Sequence, residues 1–446
     1  MSSEETERKV TRIAGLTQEL VKLHGDSRVD IADPFAFWVP GRIEVLGKHT
    51  DYGGGRSLLC AVERGVLVLA HPRSDNSALA QSVTLVRIRD ANSGETAELE
   101  LSPDVVSAPE HWSNYPVTVA RRVSTNFSGP MRGADIVFAS DLPFAAGTSS
   151  SSALVVAIFL ALSAVNDLPK RAEYQDNIHT HEDLAGYLGC VENGLDFKSL
   201  RGRAGVGTFG GSEDHTAILC ARPDSLVQYS FGPVLFEREI TLPAGYNFVV
   251  GASGVVAEKT GAALDHYNRV SRRLSVGLEC WRKATGRADI AMGAAVTSSP
   301  TAPELIRDVL LAATNVDYTA ESLVERFDQF YAESFEIIPA AGDALAHGDL
   351  VKFGEMVARS QRGAERGLRN QIPETITLVR QARELGAVAA SAFGAGFGGS
   401  VWATVDSSRV ERFRRSWVDA YREAFPESAH RSVFFVTRAG PPATAL

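Results

Sequence analysis

Apolar residues recur at helical spacing at Ile13, Leu16, Leu20 and Leu23, so the first 30 residues read as an amphipathic helix. Alternating segments follow at Ala36–Val45, Ser57–Leu69, Val83–Arg89 and Thr96–Leu101, separated by turn-rich pieces such as HPRSDNS, and these read as strands. Helices are predicted over Trp112–Val123, Ser150–Val165 and Glu182–Leu195, with a strand at Ala134–Ala139. The glycine-rich run RGRAGVGTFGGSED reads as a loop, and strands are expected beyond it at Thr216–Cys220, Val227–Phe231 and Asn247–Val250. The second half is more helical, with Lys259–Ala284, Pro303–Asn315, Ala320–Ala346, Leu350–Arg366 and Glu374–Leu385. It closes with strands at Val388–Ala392 and Val401–Val405, a helix at Ser407–Ala424 and a strand at Ser432–Thr437. There is no regular βα alternation, which favours an α+β fold over a doubly wound sheet. A boundary between residues 225 and 250 separates a strand-rich N-terminal lobe from a more helical C-terminal one, and we place it so as to give 1–235 and 236–446.

The 446 residues suit two or three domains, and 44 % hydrophobic with 22 % charged residues is the balance of a globular protein. Acidic residues outnumber basic ones by 54 to 45, and no lysine/arginine run is present, so nucleic acid and anionic membranes are poor partners. The most apolar stretch, Ala153–Val165, has 13 residues including Ser163, which suits a buried helix rather than a membrane span. The N-terminus, MSSEETERKV, is too polar for a signal peptide. Cys60, Cys190, Cys220 and Cys280 show no paired spacing, as expected of reduced, buried thiols in a cytoplasmic protein.

Three segments rich in glycine or serine carry candidate chemistry. The first, PGRIEVLGKHTDYGGGR from Pro40 to Arg56, sets Arg42, Lys48, His49 and Asp51 beside three glycines. Those groups suit a polyhydroxylated ligand, and DYGGG alone equally suits a solvated turn. A Walker-type nucleotide loop is excluded, because five residues rather than four separate Gly41 from Gly47 and His49 stands where a serine or threonine belongs. The second runs from Asp141 into the apolar helix through Gly147, Ser149, Ser150, Ser151 and Ser152. One hydroxyl suffices for a helix cap, whereas four at a helix N-terminus favour phosphate binding. The third carries Gly394, Gly396, Gly398 and Gly399 just before a strand, where a dinucleotide fingerprint would have to open a helix. By itself it is compatible with a plain inter-strand connection. The HTHED run at His179–Asp183 reads as a solvated helix start rather than a metal site.

Taken together and in order, these segments resemble the GHMP small-molecule kinases, and the galactokinases among them. Gly41, Arg42, Gly47, His49, Thr50, Asp51, Tyr52, Gly54 and Gly55 stand in register with the signature GR-x-N-L-I-G-E-H-T-D-Y-N-G-G. Pro143 to Ala153 resembles the serine-rich phosphate loop, Gly394 to Gly399 the C-terminal glycine motif, and Trp112, Asn114 and Tyr115 a W-x-N-Y element. The resemblance implies a two-lobed α+β fold with the active site between the lobes. The N-terminal lobe (1–235) would carry the sugar signature and serine loop, the C-terminal lobe (236–446) the GAGFGG motif. It implies ATP as co-substrate, Mg2+ as cofactor, and phosphorylation of the anomeric hydroxyl of galactose or a close C6 relative.

Residue roles follow from the same resemblance. Asp214 stands at the catalytic aspartate of a G-(I/V)-M-D-Q segment, and Arg42 at the arginine beside it. Lys48, His49, Asp51 and Tyr267 stand at sugar-contacting positions. Gly147, Ser149, Ser150, Ser151 and Trp112 fall at the nucleotide, and Glu192 with Ser151 would hold the metal, Ser150 being the neighbouring possibility. Phosphoryl transfer depends on positioning and electrostatic stabilisation, which these residue types supply.

The family's signature Asn is Glu44 here, its Glu is Lys48, its loop Leu is Thr148 and its Gln after the catalytic aspartate is His215. An extra stretch at about Lys198–Gly207 precedes the aspartate, and Gly367-LRNQIP replaces a galactokinase segment. A cationic Lys48 suits a carboxylate at C6, as in galacturonate. Alternatively, period-two alternation puts Arg42, Glu44, Leu46 and Lys48 on one face, so Lys48 could pair with Glu44 and leave the sugar site unchanged. A third possibility is a catalytically silent sugar and ATP sensor.

Overall fold

The computed structural model describes residues 3–25, 33–73, 84–106, 111–143, 147–255, 261–315 and 317–446. A first, eight-stranded sheet is built from β1 (Phe35–Leu46), β2 (Arg56–Pro72), β3 (Leu85–Asp90), β4 (Thr96–Glu100), β5 (Ala134–Ser140), β6 (Ser225–Ser230) and β7 (Leu235–Thr241). A second, four-stranded antiparallel sheet contains β8 (Tyr246–Ala252), β9 (Ala389–Phe393), β10 (Ser400–Asp406) and β11 (Val433–Thr437). The chain then returns to the first sheet as β12 (Thr444–Ala445), on the outer edge of β1. Along the main path the first sheet runs β12-β1-β2-β5-β3-β4. The long β2 pairs with β5 through its second half and with β6 through its first.

Residues 38–46 of β1 are buried on both faces, which explains why a strand with so many apolar neighbours places its few charged side chains inside the protein. Helix Ser150–Val165 packs on β1 and β2, and most of its circumference is buried, as its nearly unbroken apolar sequence requires. Helices Asn114–Asn126 and His181–Asn193 cover it in turn. The main core is continuous between the two sheets, since it joins Val39, Ile43 and Leu58 to Phe248, Phe353 and Trp402. A separate apolar cluster around Leu274, Phe327 and Phe330 holds the helices of the second half together.

Most elements lie within a few residues of their sequence-predicted places. Thr216–Cys220 is a correction: it belongs to a helix, Glu213–Cys220, started by Thr216 N donating to Ser212 O at 2.9 Å. The short apolar run is buried against β1, β2 and helix His181–Asn193, and a fully buried segment of this length shows the same pattern as strand or helix. Strand β7 was not foreseen, because its LFEREIT sequence is largely exposed. The expected helix Ala320–Ala346 is nearly unbroken but passes through a π-helical segment, Ala332–Ile337. All four cysteines are free thiols, Cys60 and Cys220 buried, Cys190 and Cys280 half-buried. Among the described residues no helix is long and apolar enough to cross a membrane.

Candidate active site

The three segments singled out in the sequence meet at one pocket, lined among others by Arg42, His49, Asp51, Glu192, Asp214 and Gly394. Arg42 is the junction. It projects from β1, is buried, and brings Nη2 to 2.5 Å and Nε to 2.7 Å from Asp214 Oδ1. Its Nη1 donates to the Gly147 carbonyl, and its backbone N–H donates to Thr148 O at 3.3 Å. Burial works against the guanidinium charge, but Asp214, Glu44 and Glu213 outweigh it and hold the Arg42 pKa above its ordinary value.

Gly147 takes a positive φ of 73° and Gly394 one of 80°. A β-carbon on Gly394 would come within 3.0 Å of Gly147 O, so the serine loop and the C-terminal glycine motif touch through backbone that side chains would force apart. Ser149 precedes helix Ser150–Val165 in a left-handed conformation, φ 57°. Among the described residues, Ser149 Oγ and the adjacent Thr148 Oγ1 are buried without a hydrogen-bond partner. Two orphaned hydroxyls at a 16-residue helix N-terminus fit an anionic ligand with phosphate oxygens.

Glu192 sits near the end of helix His181–Asn193 and is buried. The serine that donates to it is Ser152, with Oγ 2.9 Å from Glu192 Oε2 and 3.3 Å from Asp214 Oδ2. The expected Ser151 and Ser150 lie half-buried on the same first helical turn. His215 Nε2 also stands 3.1 Å from Glu192 Oε2, off hydrogen-bonding geometry. Glu192 and a serine hydroxyl are hard oxygen donors that fit a divalent cation, and among the described residues no group of three His, Cys, Asp or Glu forms a protein-only metal site.

In the signature turn, His49 has φ 57° and places Nδ1 at 3.2 Å from Tyr52 Oη and Nε2 at 3.1 Å from Ala395 O. Asp51 Oδ2 accepts the Glu213 N–H at 3.1 Å; burial raises its pKa, partly opposed by such backbone donors. A β-carbon at Gly211 would sit 2.2 Å from Asp51 Oδ2, so glycine is required there. Asn193 anchors this loop, donating to Gly211 O at 3.0 Å and accepting from Gly210 N at 2.9 Å. Fully buried Arg326 supports the signature turn from below, donating to His49 O at 2.5 Å and Tyr52 Oη at 3.0 Å.

Lys48 requires a correction. It is 1 % exposed, its Nζ donates to Ser360 Oγ at 3.1 Å, and it is not among the pocket-lining residues. Ser360 in turn donates to Glu333 Oε1 at 2.8 Å, which also accepts the Gly47 N–H at 2.9 Å. Tyr267 lies on helix Gly261–Thr285, with its side chain outside the described residues. Trp112 is half-buried, donates to Glu95 Oε2 at 2.6 Å and packs edge-on against Phe138. The HTHED run is a helix start as expected, with Thr180 capping Asp183 N.

Gly211, Glu213, Asn193 and Arg326 were not foreseen as site residues, and Ser152, expected among the phosphate-binding serines, was not foreseen as the one that meets Glu192. Ser152 and Glu213 were within reach, each adjoining a residue that was singled out. Arg326 carried no signal, since its role depends on a turn 277 residues away in the chain.

Comparison with known proteins agrees with this geometry. Three family descriptions match: the galactokinase galactose-binding signature at residues 27–72, the GHMP kinases N terminal domain at 114–191 and the GHMP kinases C terminal at 343–423. The three matches fall in chain order on the three segments that meet at the pocket, and in this the chain is similar to the GHMP kinases. Among curated GHMP kinases, the galactokinase of Roseiflexus sp. is 29 % identical over 395 residues, covering 87 % of this chain and 88 % of the relative. The galactokinase of Chloroflexus aggregans is 26 % identical over 386 residues, covering 86 % of each. Among solved structures, Lactococcus lactis galactokinase complexed with galactose superposes with a TM-score of 0.76 at 22 % identity, covering 97 % of this chain and all of that one. Methanococcus jannaschii mevalonate kinase gives 0.51 at 11 % identity, over 92 % and 100 %. The α+β fold is therefore that of the GHMP kinases.

Proposed function

We propose that this chain is a GHMP kinase that transfers a phosphoryl group from ATP to the anomeric hydroxyl of galactose or a close C6 relative, as an enzyme of galactokinase type. The observation that carries the proposal is the Arg42–Asp214 pair, held between the signature residues His49 and Asp51 and the serine-lined helix N-terminus. Asp214 orients the attacking hydroxyl and accepts its proton. Arg42 keeps Asp214 ionised and offsets negative charge developing near the transferred group. The hydroxyls of Thr148 and Ser149 and the helix N–H groups receive phosphate oxygens, so a Walker lysine is unnecessary. Glu192, with Ser151 or Ser152, would hold magnesium, which when bound neutralises charge on the phosphates. His49 and Asp51 receive sugar hydroxyls, with Tyr267 as a further contact, and Trp112 belongs to the nucleotide side.

We also propose that the lobes divide at residues 1–235 and 236–446, a division that follows the two sheets except where it cuts β7 of the first sheet and where the chain returns to that sheet as β12. The burial of Lys48 speaks against a uronate, because its ammonium is engaged inside the protein. The test is ADP release from ATP and Mg2+ with galactose, galacturonate, arabinose and other sugars, with the phosphorylated position assigned by NMR. Galactose 1-phosphate is the expected product, and no turnover of any sugar at stoichiometric enzyme would overturn the proposal.

A further inference from the structure

His215 follows Asp214 in the first turn of helix Glu213–Cys220 and lines the pocket together with Ser152 and Glu192. All three are buried, His215 with 1 % exposure. His215 Nε2 lies 3.1 Å from Glu192 Oε2, and Ser152 Oγ lies 2.9 Å from the same oxygen. Neither ring nitrogen of His215 has a hydrogen-bond partner among the described residues. Buried polar groups are normally paired, so an imidazole with both nitrogens left over calls for an explanation. Its Nε2 is close to the carboxylate, yet too poorly directed to donate to it. A cation held by both atoms removes that conflict, because each ligand then points at the ion and not at its neighbour. Around a six-coordinate ion with ligands at about 2.1 Å, adjacent ligand atoms stand about 3 Å apart. The separations of 2.9 and 3.1 Å match that spacing.

We propose that His215 Nε2 is a third protein ligand, beside Glu192 and Ser152, for the divalent cation that accompanies the nucleotide, and that this nitrogen moves the site's preference from magnesium towards transition-metal cations. The ligand is the lone pair of the neutral imidazole. Magnesium favours an all-oxygen shell, whereas imidazole suits the divalent ions of the first transition series. The motif that this segment resembles carries Gln at the position of His215, and an amide offers a metal only its carbonyl oxygen. His215 therefore changes the donor set in kind, at a point where the helix packing against helix His181–Asn193 already brings it to the carboxylate. The inference rests on the reading that Glu192 and a serine hydroxyl take the cation.

The test uses Mn2+ as the probe and needs no turnover. Full-length protein labelled with 15N in its histidines is mixed with Mn2+ and a non-hydrolysable ATP analogue, without sugar, and examined by electron–nuclear double resonance. Wild-type protein should show a directly coordinated 15N, and His215→Gln should not. By equilibrium binding, His215→Gln should weaken Mn2+ by about tenfold or more and Mg2+ by less than about threefold. Bound Mn2+ without 15N coupling, or coupling that survives in His215→Gln, overturns the role of His215 while leaving the kinase reading untouched. Equal weakening of both cations makes His215 a support for Glu192 and overturns it as a ligand. Coupling in wild type with no turnover of any sugar would instead overturn the kinase reading alone. If His215→Gln fails to fold, the anomalous signal of Mn2+ in wild-type crystals grown with the same analogue still decides: an ion out of coordination range of His215 Nε2 overturns the proposal.

Discussion

Arg42 Nη2 stands 2.5 Å from Asp214 Oδ1 while Nη1 of the same guanidinium donates to the Gly147 carbonyl. One buried side chain on β1 thus ties the serine loop to the first turn of helix Glu213–Cys220, whose Asp214 lies 172 residues further along the chain than Arg42. A planar guanidinium can hold both partners at fixed angles; a lysine ammonium in its place could not.

If Asp214 orients and deprotonates the attacking hydroxyl, Asp214→Asn should lower kcat by about two orders of magnitude or more while ATP binding changes little. Asn keeps the size and loses both the charge and the base. Steady-state kinetics with a separate ATP-binding titration measure the two effects, and near-normal turnover removes Asp214 from the mechanism.

Glu192→Gln should raise the magnesium concentration needed for half-maximal rate, with little effect on sugar affinity, because Mg2+ prefers ionised oxygen ligands. Ser152→Ala and Ser151→Ala distinguish the two candidate hydroxyls. The hydrogen bond from Ser152 to Glu192 leads us to expect the larger magnesium effect at Ser152. A response confined to Ser151→Ala would give the metal role to the residue that the family resemblance singles out.

Lys48 should matter to stability rather than to sugar choice. Lys48→Met leaves Ser360 without its ammonium donor and removes a positive charge that favours ionised Glu44, a loss on the order of 3 kcal/mol for one partner of a buried charged network. Chemical denaturation measures it. The ratio of kcat/KM for galactose and galacturonate should stay within about threefold of wild type; a tenfold change, about 1.4 kcal/mol, would return Lys48 to the sugar site.

Burial, opposed by Lys48 and Arg42, raises the Glu44 pKa to about 7, which makes a stability prediction. A carboxyl that binds its proton more tightly folded than unfolded stabilises the protein below its unfolded value, near 4.5, and that contribution is lost as pH rises through about 7. Relative to Glu44→Gln, wild-type protein should therefore lose stability on the order of 1–3 kcal/mol between about pH 4.5 and about pH 7. Parallel stability curves for the two proteins across that window would show that Glu44 does not gain a proton on folding.

Hydrophobic periodicity was enough to locate β1, β2, β5 and helix Ser150–Val165, because each is long and patterned or unbrokenly apolar. Local composition also marked the three glycine and serine segments, and their order carried the family resemblance. Three features were decided only by tertiary structure. Thr216–Cys220 is helical because it is buried on all sides, where apolar content no longer distinguishes the two backbone states. Lys48 leaves the face shared by Arg42 and Glu44 because β1 is irregular between Glu44 and Leu46 and the chain turns at Gly47 with φ 127°, so the period of two cannot be carried forward. The serine that meets Glu192 depends on the rotation of helix Ser150–Val165 against helix His181–Asn193. Residues 151 and 152 differ by about 100° around a helix, and packing between helices, not local sequence, sets which one points at the carboxylate.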